Sequence, residues 1–465
     1  MSFRPFIRLV LFTLIVGGVV SARPPASAAH YIVSDLGTLG GDDSRATDIN
    51  GTGQIVGVSR TADGSDRAFL WQNGEMTDLG TLGGVNSHAA AINETGGIVG
   101  WAETPEGRLR ACLFGAGTNV NLSGGYPNDS YAADINDHGR VVGWTETPVS
   151  GADQPRPTAV LFGGSPILQT LSVWEGTPIR GRATAINNGS LIGGWTGDVL
   201  SIWGPRDRAA FWEDLDSSAF TRYGDTDSYV HDVDATGRLV GESGLPYVWK
   251  RAVMWSGTNR LSLGSLAFGS STAAAINQAG QIVGSADAYR FGLITNKLIF
   301  PGPGTDPDGP PPEPQVYEGY ELTRHAFLWQ NGVMSDLNDL IPTHSGWELT
   351  AAESINDAGQ IVGSGQFNGQ TRAFLLTPVA NPDPIPFVRL ISPADGDWVS
   401  GAEITLSAEA SDGDGEIRRV EFFAQRVSRR DLLTGGISVN YPNGSRIGDL
   451  HPPGWLGSVT NQPFT

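Results

Sequence analysis

The sequence predicts an all-β chain: a seven-bladed β-propeller of four-stranded repeats about 43 residues long, then a C-terminal immunoglobulin-like β-sandwich. Three observations lead there. Glycine accounts for 63 of 465 residues and charged residues for only 17%, against roughly 7% and 25% in average soluble chains. There is no Gly-X-Y period, and 13 Trp, 10 Tyr and 18 Phe in a chain that is 39% hydrophobic exclude wholesale disorder. The third observation is a signature of Ile-Asn, a short turn and Ile-Val-Gly that returns seven times.

Residues 1–28 read as an export signal. Arg4 and Arg8 form a positive start, Leu9–Val20 an apolar run, and Ala26-Ser27-Ala28 a small-residue cleavage site. The apolar run is too short to cross a bilayer as a helix, which needs about 20 residues, so no stable membrane insertion is expected. Export places the chain outside the cell or at its surface. Removing the signal takes away Arg4, Arg8 and Arg23 and no acid, so the net charge of −19 becomes −22. That charge argues against nucleic acid or an anionic membrane surface as partner, because both need a cationic footprint. The single Cys112 has no internal disulfide partner; it takes a place filled by Phe or Val in equivalent segments and reads as a core residue.

Residues 29–378 carry the repeats. The signature starts at Ile49-Asn50 and recurs at Ile92-Asn93, Ile135-Asn136, Ile186-Asn187, Val233-Asp234, Ile276-Asn277 and Ile355-Asn356, with spacings of 43, 43, 51, 47, 43 and 79 residues. Each copy adds a second element, Arg67-Ala68-Phe69-Leu70-Trp71 in the first; a third, Asp-Leu-Gly-Thr-Leu-Gly-Gly, is clear at 35–41 and 78–84. In the first copy four apolar or alternating runs lie near 45–50, 53–59, 66–72 and 75–80, separated by turn residues. That is the pattern of consecutive antiparallel strands. One such meander cannot bury both faces and must stack on its neighbours. The chain ends favour a closed ring over an open solenoid: Tyr31–Leu36 precedes the first copy and supplies the strand that the last copy, beginning near Leu349, lacks.

His325-Ala326-Phe327-Leu328-Trp329, with the Ile-Asn-x-x-Gly-x-Ile-Val-Gly and Asp-Leu-Gly-Thr-Leu-Gly-Gly segments, resembles the HAF-repeat family of bacterial extracellular proteins over about 31–378. The fourth and fifth copies depart most: Asn187-Asn188-Gly189 reads one residue short, and Asp234 replaces Asn. The resemblance implies an extracellular setting and confers no activity.

The 79-residue spacing hides a Pro-rich insertion at 287–323 in the sixth copy. Its prolines argue against a regular strand ladder, so a projecting, disordered loop is expected. A Pro-rich linker follows at 379–387. Residues 388–465 resemble a bacterial immunoglobulin-like domain, with runs such as Ile404–Ala408 and Val420–Phe423 between Gly-Asp turns. Gln425–Pro442 reads as an insertion, and the chain stops where such domains continue, so this domain is expected to be truncated or completed by another chain. Asp412, Asp414 and Glu416 have calcium-loop spacing but no bidentate Glu at the distance an EF-hand needs, and read as a β-turn.

The search for catalytic motifs is negative, and no catalytic residue, metal site or cofactor is assigned. Variation at one fixed register gives the ligand-binding candidates instead. Five residues before the signature Asn stand Arg45, His88, Tyr131, Arg182 and Tyr229, with Thr272 and Ala351 in the last two copies. On an innermost strand they would ring one end of the channel, where Arg, His and Tyr suit an anionic or carbohydrate ligand. A rim that simply tolerates varied side chains is the alternative. Two residues before the Asn, Asp48, Asp134 and Asp232 are expected to cap turns rather than hold a cation. The sequence thus favours a secreted, non-catalytic protein for extracellular recognition or surface interaction, its partner a carbohydrate or another surface protein. A propeller enzyme acting on polysaccharide through acids or His88 and His231, and a structural surface or matrix component, are the alternatives.

Overall fold

A computed structural model describes residues 31–379 apart from 116, 149–154, 164–167, 172, 175–176, 179, 198–206, 213–219, 223–226, 245–248, 258, 268, 297–314 and 343–344. It also describes the strands Thr13–Ile15, Phe387–Ser392, Trp398–Val399, Ser407–Ser411, Arg419–Phe423, Gln425–Val427 and Trp455–Thr460. The rest of the export signal, the prolines of the linker and the Asp412–Glu416 turn lie outside the described residues. The chain divides into two compact units: Ala29–Asp287 with Arg324–Asn381, and Met1–Ala28 with Ala288–Thr323 and Pro382–Thr465.

The first unit is a seven-bladed propeller. Its first blade runs Gly40–Ile49, Ile55–Thr61, Asp66–Gln72 and Glu75–Asp78, each strand paired antiparallel with the next. Five more four-stranded sheets follow in the same order, their first strands being Ser87–Ile92, Ser130–Ile135, Arg180–Ile186, Tyr229–Val233 and Ser271–Ile276. The seventh takes Trp347–Ile355, Ile361–Phe367 and Gln370–Pro378 from the end of the repeats, and Tyr31–Asp35 as its fourth strand, in register Tyr31↔Pro378 to Asp35↔Phe374. The two ends of the repeat region therefore close the ring within one sheet.

Packing follows from blades too small to bury both faces alone. Seven buried clusters lie at the seven blade interfaces. Val56 and Ala68 of the first blade pack on Ala89, Ile92, Ile98 and Cys112 of the second. Leu36, Ile49, Ile55 and Phe69 of the first pack on Val362, Ala373 and Leu375 of the seventh. Cys112 is fully buried, and burial pushes its thiol up to about 12, so it is inert core.

Every inner strand is bulged at the same place. The register slips at the residue three before the signature Asn, between Ala46 and Asp48 in the first blade and between Ala352 and Ser354 in the seventh. The bulge drives the preceding carbonyl against the Gly of Ile-Val-Gly. A Cβ on Gly143 would lie 2.0 Å from the Tyr131 carbonyl, and one on Gly363 equally close to that of Ala351. The glycine is required for space.

The signature Asn joins the blades as well as shaping the turn. Asn50 Oδ1 accepts the amides of Thr52 and Gln54, while its Nδ2 donates to the Asn93 carbonyl at 3.2 Å in the next blade. Asn93 donates to Asn136, Asn136 to Asn187, Asn187 to Asp234, Asn277 to Asn356, and Asn356 back to Asn50 at 3.0 Å. Asp234 has no donor to continue the ring. Arg238 bridges the gap, pairing with Asp234 Oδ2 at 2.5 Å and donating to the carbonyl of Gln278, one residue past the signature Asn277, in the sixth blade at 3.2 Å. A serine layer lies six residues before the Asn: Ser87, Ser130, Ser228 and Ser271 accept the amides of Ala68, Ala111, Ala209 and Ala252 from the preceding blade, and Ser44 accepts that of Ala373 across the closure.

Three expectations change. The fourth signature is not one residue short: Asn187 and Ile192 keep the ordinary interval, and Ser190 takes the left-handed conformation (φ 68°) that Gly holds in the other turns. Asp48, Asp134 and Asp232 do not cap turns. Each spans two inner strands, accepting the amide that follows it and one from the next blade: Ile49 and Ile92, Ile135 and Ile186, Val233 and Ile276. The arms of the insertion are strands rather than irregular loop, because Ile282–Asn296 and Gln315–Gln330 extend the second and third strands of the sixth blade. Its Pro-rich centre, 297–314, lies outside the described residues.

In the second unit, Phe387–Ser392 pairs with Ser407–Ser411, and Arg419–Phe423 with Trp455–Thr460. Thr13–Ile15 pairs with Trp398–Val399 and Gln425–Val427.

Candidate functional site

The inner strands run from a rim to the Asn turns, and the residues five before each Asn stand near the rim end. Arg45, His88, Tyr131, Arg182 and Tyr229 each pair across to a residue of the second strand: Val58, Trp101, Trp144, Trp195 and Glu242. Three successive blades thus set a Trp beside the rim residue.

Arg182 and Tyr229 line a cavity of ≈ 530 Å³ with Trp144, Pro157, Arg180, Thr184, Trp195, His231, Glu242 and Lys250, from blades three to five. Tyr131 lies behind it, stacked on Trp144 at 5.0 Å between centroids. His88 and Arg45 stay outside it. His88 stacks on Trp101 at 6.0 Å, and burial lowers its pKa to about 4. Arg45 is exposed and pairs with Asp43 at 2.8 Å.

Within the cavity each cation lies on an aromatic ring. The Arg182 guanidinium is 4.4 Å from the Trp144 centroid, Arg180 is 5.2 Å from Trp195, and Lys250 Nζ is 4.2 Å from Tyr229. Such contacts hold a cation in place at a cost in desolvation smaller than burial alone would impose. Two of the three are also tightly paired: Arg180 with Asp207 at 2.6 Å, and Lys250 with Glu242 at 3.1 Å. Arg182 is looser, 3.8 Å from Glu146. Arg180 Nε, Arg182 Nε and His231 Nε2 are buried with no hydrogen-bond partner. His231 sits on the bulge of the fifth blade. Burial lowers its pKa, opposed by Glu242 and assisted by Lys250, so the ring is neutral near pH 7.

The channel carboxylates form a separate layer. Burial raises Asp48 and Asp232 to about 6 and Asp134 to about 7, against the amides they accept. Among the described residues no group of His, Cys, Asp and Glu is arranged to hold a metal ion.

Counting back from the Asn finds the rim register and misses its companions. Trp101, Trp144 and Trp195 carry a legible signal, a Gly-Trp pair in three successive copies. Arg180, seven residues before the Asn at the start of its inner strand, and Lys250, one residue before the Arg251–Trp255 segment, stand at registers beside the one compared.

A family model described as bacterial Ig domain matches residues 386–449. No curated protein matches the sequence. Among solved structures the chain is similar to the β-propeller domain of the Trilobed protease from Pyrococcus furiosus, at 9% identity and a TM-score of 0.40, covering 81% of this chain and 97% of that one. It is also similar to a puromycin-hydrolyzing peptidase of Mycobacterium tuberculosis, at 12% identity and a TM-score of 0.41, covering 91% of this chain and 63% of the peptidase. No helix among the described residues is long and apolar enough to cross a membrane. By these comparisons the chain carries a bacterial Ig-like segment after its propeller.

Proposed function

We propose that the chain is an exported, non-catalytic recognition protein whose propeller binds an extracellular ligand at the rim, a carbohydrate or an anionic group on a partner's surface. One observation carries the reading: a cavity with three ring-supported cations and unpartnered buried donors opens at the register where the repeats vary. Unsatisfied buried donors cost about 1–3 kcal/mol each, a cost that a bound acceptor offsets. The HAF-repeat likeness and the N-terminal signal sequence support the extracellular setting. On this reading Arg182 and Tyr229 contact the ligand, Tyr131 backs Trp144, and Arg45 and His88 continue the rim.

A glycan array probed with the full chain, followed by a hydrolysis and lyase screen on every hit, tests this. Binding without turnover is expected, weakened by Arg182→Ala. Turnover abolished by His231→Ala would replace the recognition reading with an enzymatic one, since a neutral, enclosed His beside Glu242 can act as a base.

A further inference from the structure

We infer that the cavity on blades three to five is a subsite for a single carboxylated sugar ring, a uronate of an acidic polysaccharide, with Arg182 as its principal carboxylate contact. The inference rests on the recognition reading above and narrows it to one ligand chemistry.

Of the three cations in the cavity, Arg182 is the least tightly paired. Arg180 and Lys250 are committed to Asp207 and Glu242 at hydrogen-bond distance. Arg182 lies over the Trp144 ring, 3.8 Å from Glu146, with its Nε unpartnered. The planar guanidinium presents a fork that matches a planar carboxylate. The aromatic rings are already engaged: Trp144 stacks with Tyr131 and carries Arg182 over its ring, and Trp195 carries Arg180 over its ring and meets Tyr229 in a T-shaped contact. They orient cations rather than stack a ligand. Neutral sugar recognition by ring stacking is therefore not what this cavity offers.

Charge sets the upper limit. Three cations and Glu242 line the cavity, and Asp207 and Glu146 pair with Arg180 and Arg182 from beyond the lining, in a chain of net charge −19. That favours an isolated negative charge and disfavours a densely charged phosphate polymer, which the rest of the surface repels. His231 Nε2 has no partner and would accept from a ring hydroxyl or, in its Nε2–H tautomer, donate to one. A volume of ≈ 530 Å³ is ample for one hexose ring and its substituents.

The test is calorimetric titration of the full chain with tetrasaccharides of galacturonic, glucuronic and mannuronic acid. The methyl ester of any that binds, a neutral glucose tetrasaccharide and inorganic phosphate serve as controls. At least one acidic tetrasaccharide binds saturably, and its ester binds about 30-fold more weakly or worse, the loss of a charge-assisted pair. Arg182→Ala weakens binding about 10-fold or more. Glu146→Gln, which removes the competing carboxylate, tightens it about 2- to 5-fold, a gain that misfolding cannot mimic. Arg60→Ala, at an exposed side chain of the first blade away from the rim register, changes it less than about 2-fold. Binding of the ester or the neutral saccharide as tight as that of the acid overturns the uronate assignment and leaves the recognition reading intact. Competition by phosphate at the same concentration, or no binding by any acidic tetrasaccharide, also overturns it. Cleavage of a bound tetrasaccharide overturns the recognition reading instead.

Discussion

The two ends of the inner strands obey opposite rules. At the turn end, the same residue type repeats around the ring, and its side chain is buried and bonded to the next blade, from Asn50 to Asn93 and on to Asn356 and back. At the rim end the same strands carry Arg, His, Tyr, Thr and Ala, and around the cavity of blades three to five some donors have no partner. Constancy in a repeat marks what every interface needs; variation marks what no interface needs. The fifth blade is informative because it breaks the constant rule and repairs it, with Arg238 replacing the donor that Asp234 lacks. A lesion at the turn end should therefore cost stability, and one at the rim should cost only binding.

The largest effect is expected between the two ends, at the bulge. A Cβ on Gly363 would meet the Ala351 carbonyl at 2.0 Å and Ala352 Cα at 2.9 Å, backbone atoms with no flexible side-chain end to move. Gly363→Ala should destabilise the propeller by about 3 kcal/mol or more, at the upper end for overpacking. Denaturant midpoints measure it. A loss below about 1 kcal/mol would show that the inner strands can shift, and the contrast between a rigid frame and a free rim would fail.

Next comes the closing asparagine. Asn356 donates to the Asn50 carbonyl across the closure and accepts two amides of its own turn. Asn356→Asp keeps the acceptor, loses the donor and buries a charge, so a loss of about 2–4 kcal/mol is expected. The fifth blade prescribes the cure: Gln360→Arg places a guanidinium four residues on, where Arg238 stands relative to Asp234. The double variant should recover at least half of the loss in a double-mutant cycle. Absence of coupling would mean that Arg238 does not stand in for the missing donor.

How much of this was legible depends on distance along the chain. The blade number, the closing role of Tyr31–Asp35 and the rim register all follow from residues that recur at a fixed interval, which periodicity exposes directly. The turn role of the Asn was legible because its Oδ1 partners lie two and four residues away. The partner of its Nδ2 lies one whole blade away, 43 residues for Asn50, and nothing local points to it. The same blindness explains Asp48, whose second amide belongs to Ile92. Arg180 and Lys250 were invisible for another reason: they flank the compared register, Arg180 at the start of the inner strand Arg180–Ile186 and Lys250 just before Arg251–Ser256, and proximity to the cavity exists only once the blades are folded. The prolines of the insertion hide its arms, which continue blade strands as Ile282–Asn296 and Gln315–Gln330 and carry no period of their own.

A smaller effect is expected from the channel carboxylates, and it depends on pH. Burial raises Asp134 in the folded chain to about 7 from an ordinary value near 4. The folded state then binds a proton more readily than the unfolded one between about pH 4 and 7, so this residue's contribution to stability is fully present below pH 4 and is lost as pH rises towards 7. Asp48 and Asp232 act in the same sense up to about 6. His88, lowered to about 4, acts in the opposite sense, so the net curve does not isolate the carboxylates. The difference between the parent and Asp134→Asn does. It should slope between pH 4 and 7, the parent gaining relative to the variant on acidification. A flat difference would remove Asp134 from the group of buried, protonatable frame residues.

The smallest effect belongs to the rim. Arg45 stands on an inner strand like any frame residue, yet its side chain is 52% exposed and its one ion pair, with Asp43, is open to solvent. Exposed pairs contribute about 0–1 kcal/mol, and replacements at such positions usually lie within about 0.5 kcal/mol. Arg45→Ala should therefore leave the denaturant midpoint almost where it is, although the Ser44 beside it in sequence is buried and bonded to Ala373 across the closure. Ser44→Ala is the matched control, one residue along and on the other face of the strand, with a loss of about 1–3 kcal/mol from the orphaned Ala373 amide. If the two neighbours cost the same, position on the inner strand rather than bonding to the next blade sets stability. If they differ as stated, the boundary between frame and rim falls between adjacent residues of a single strand.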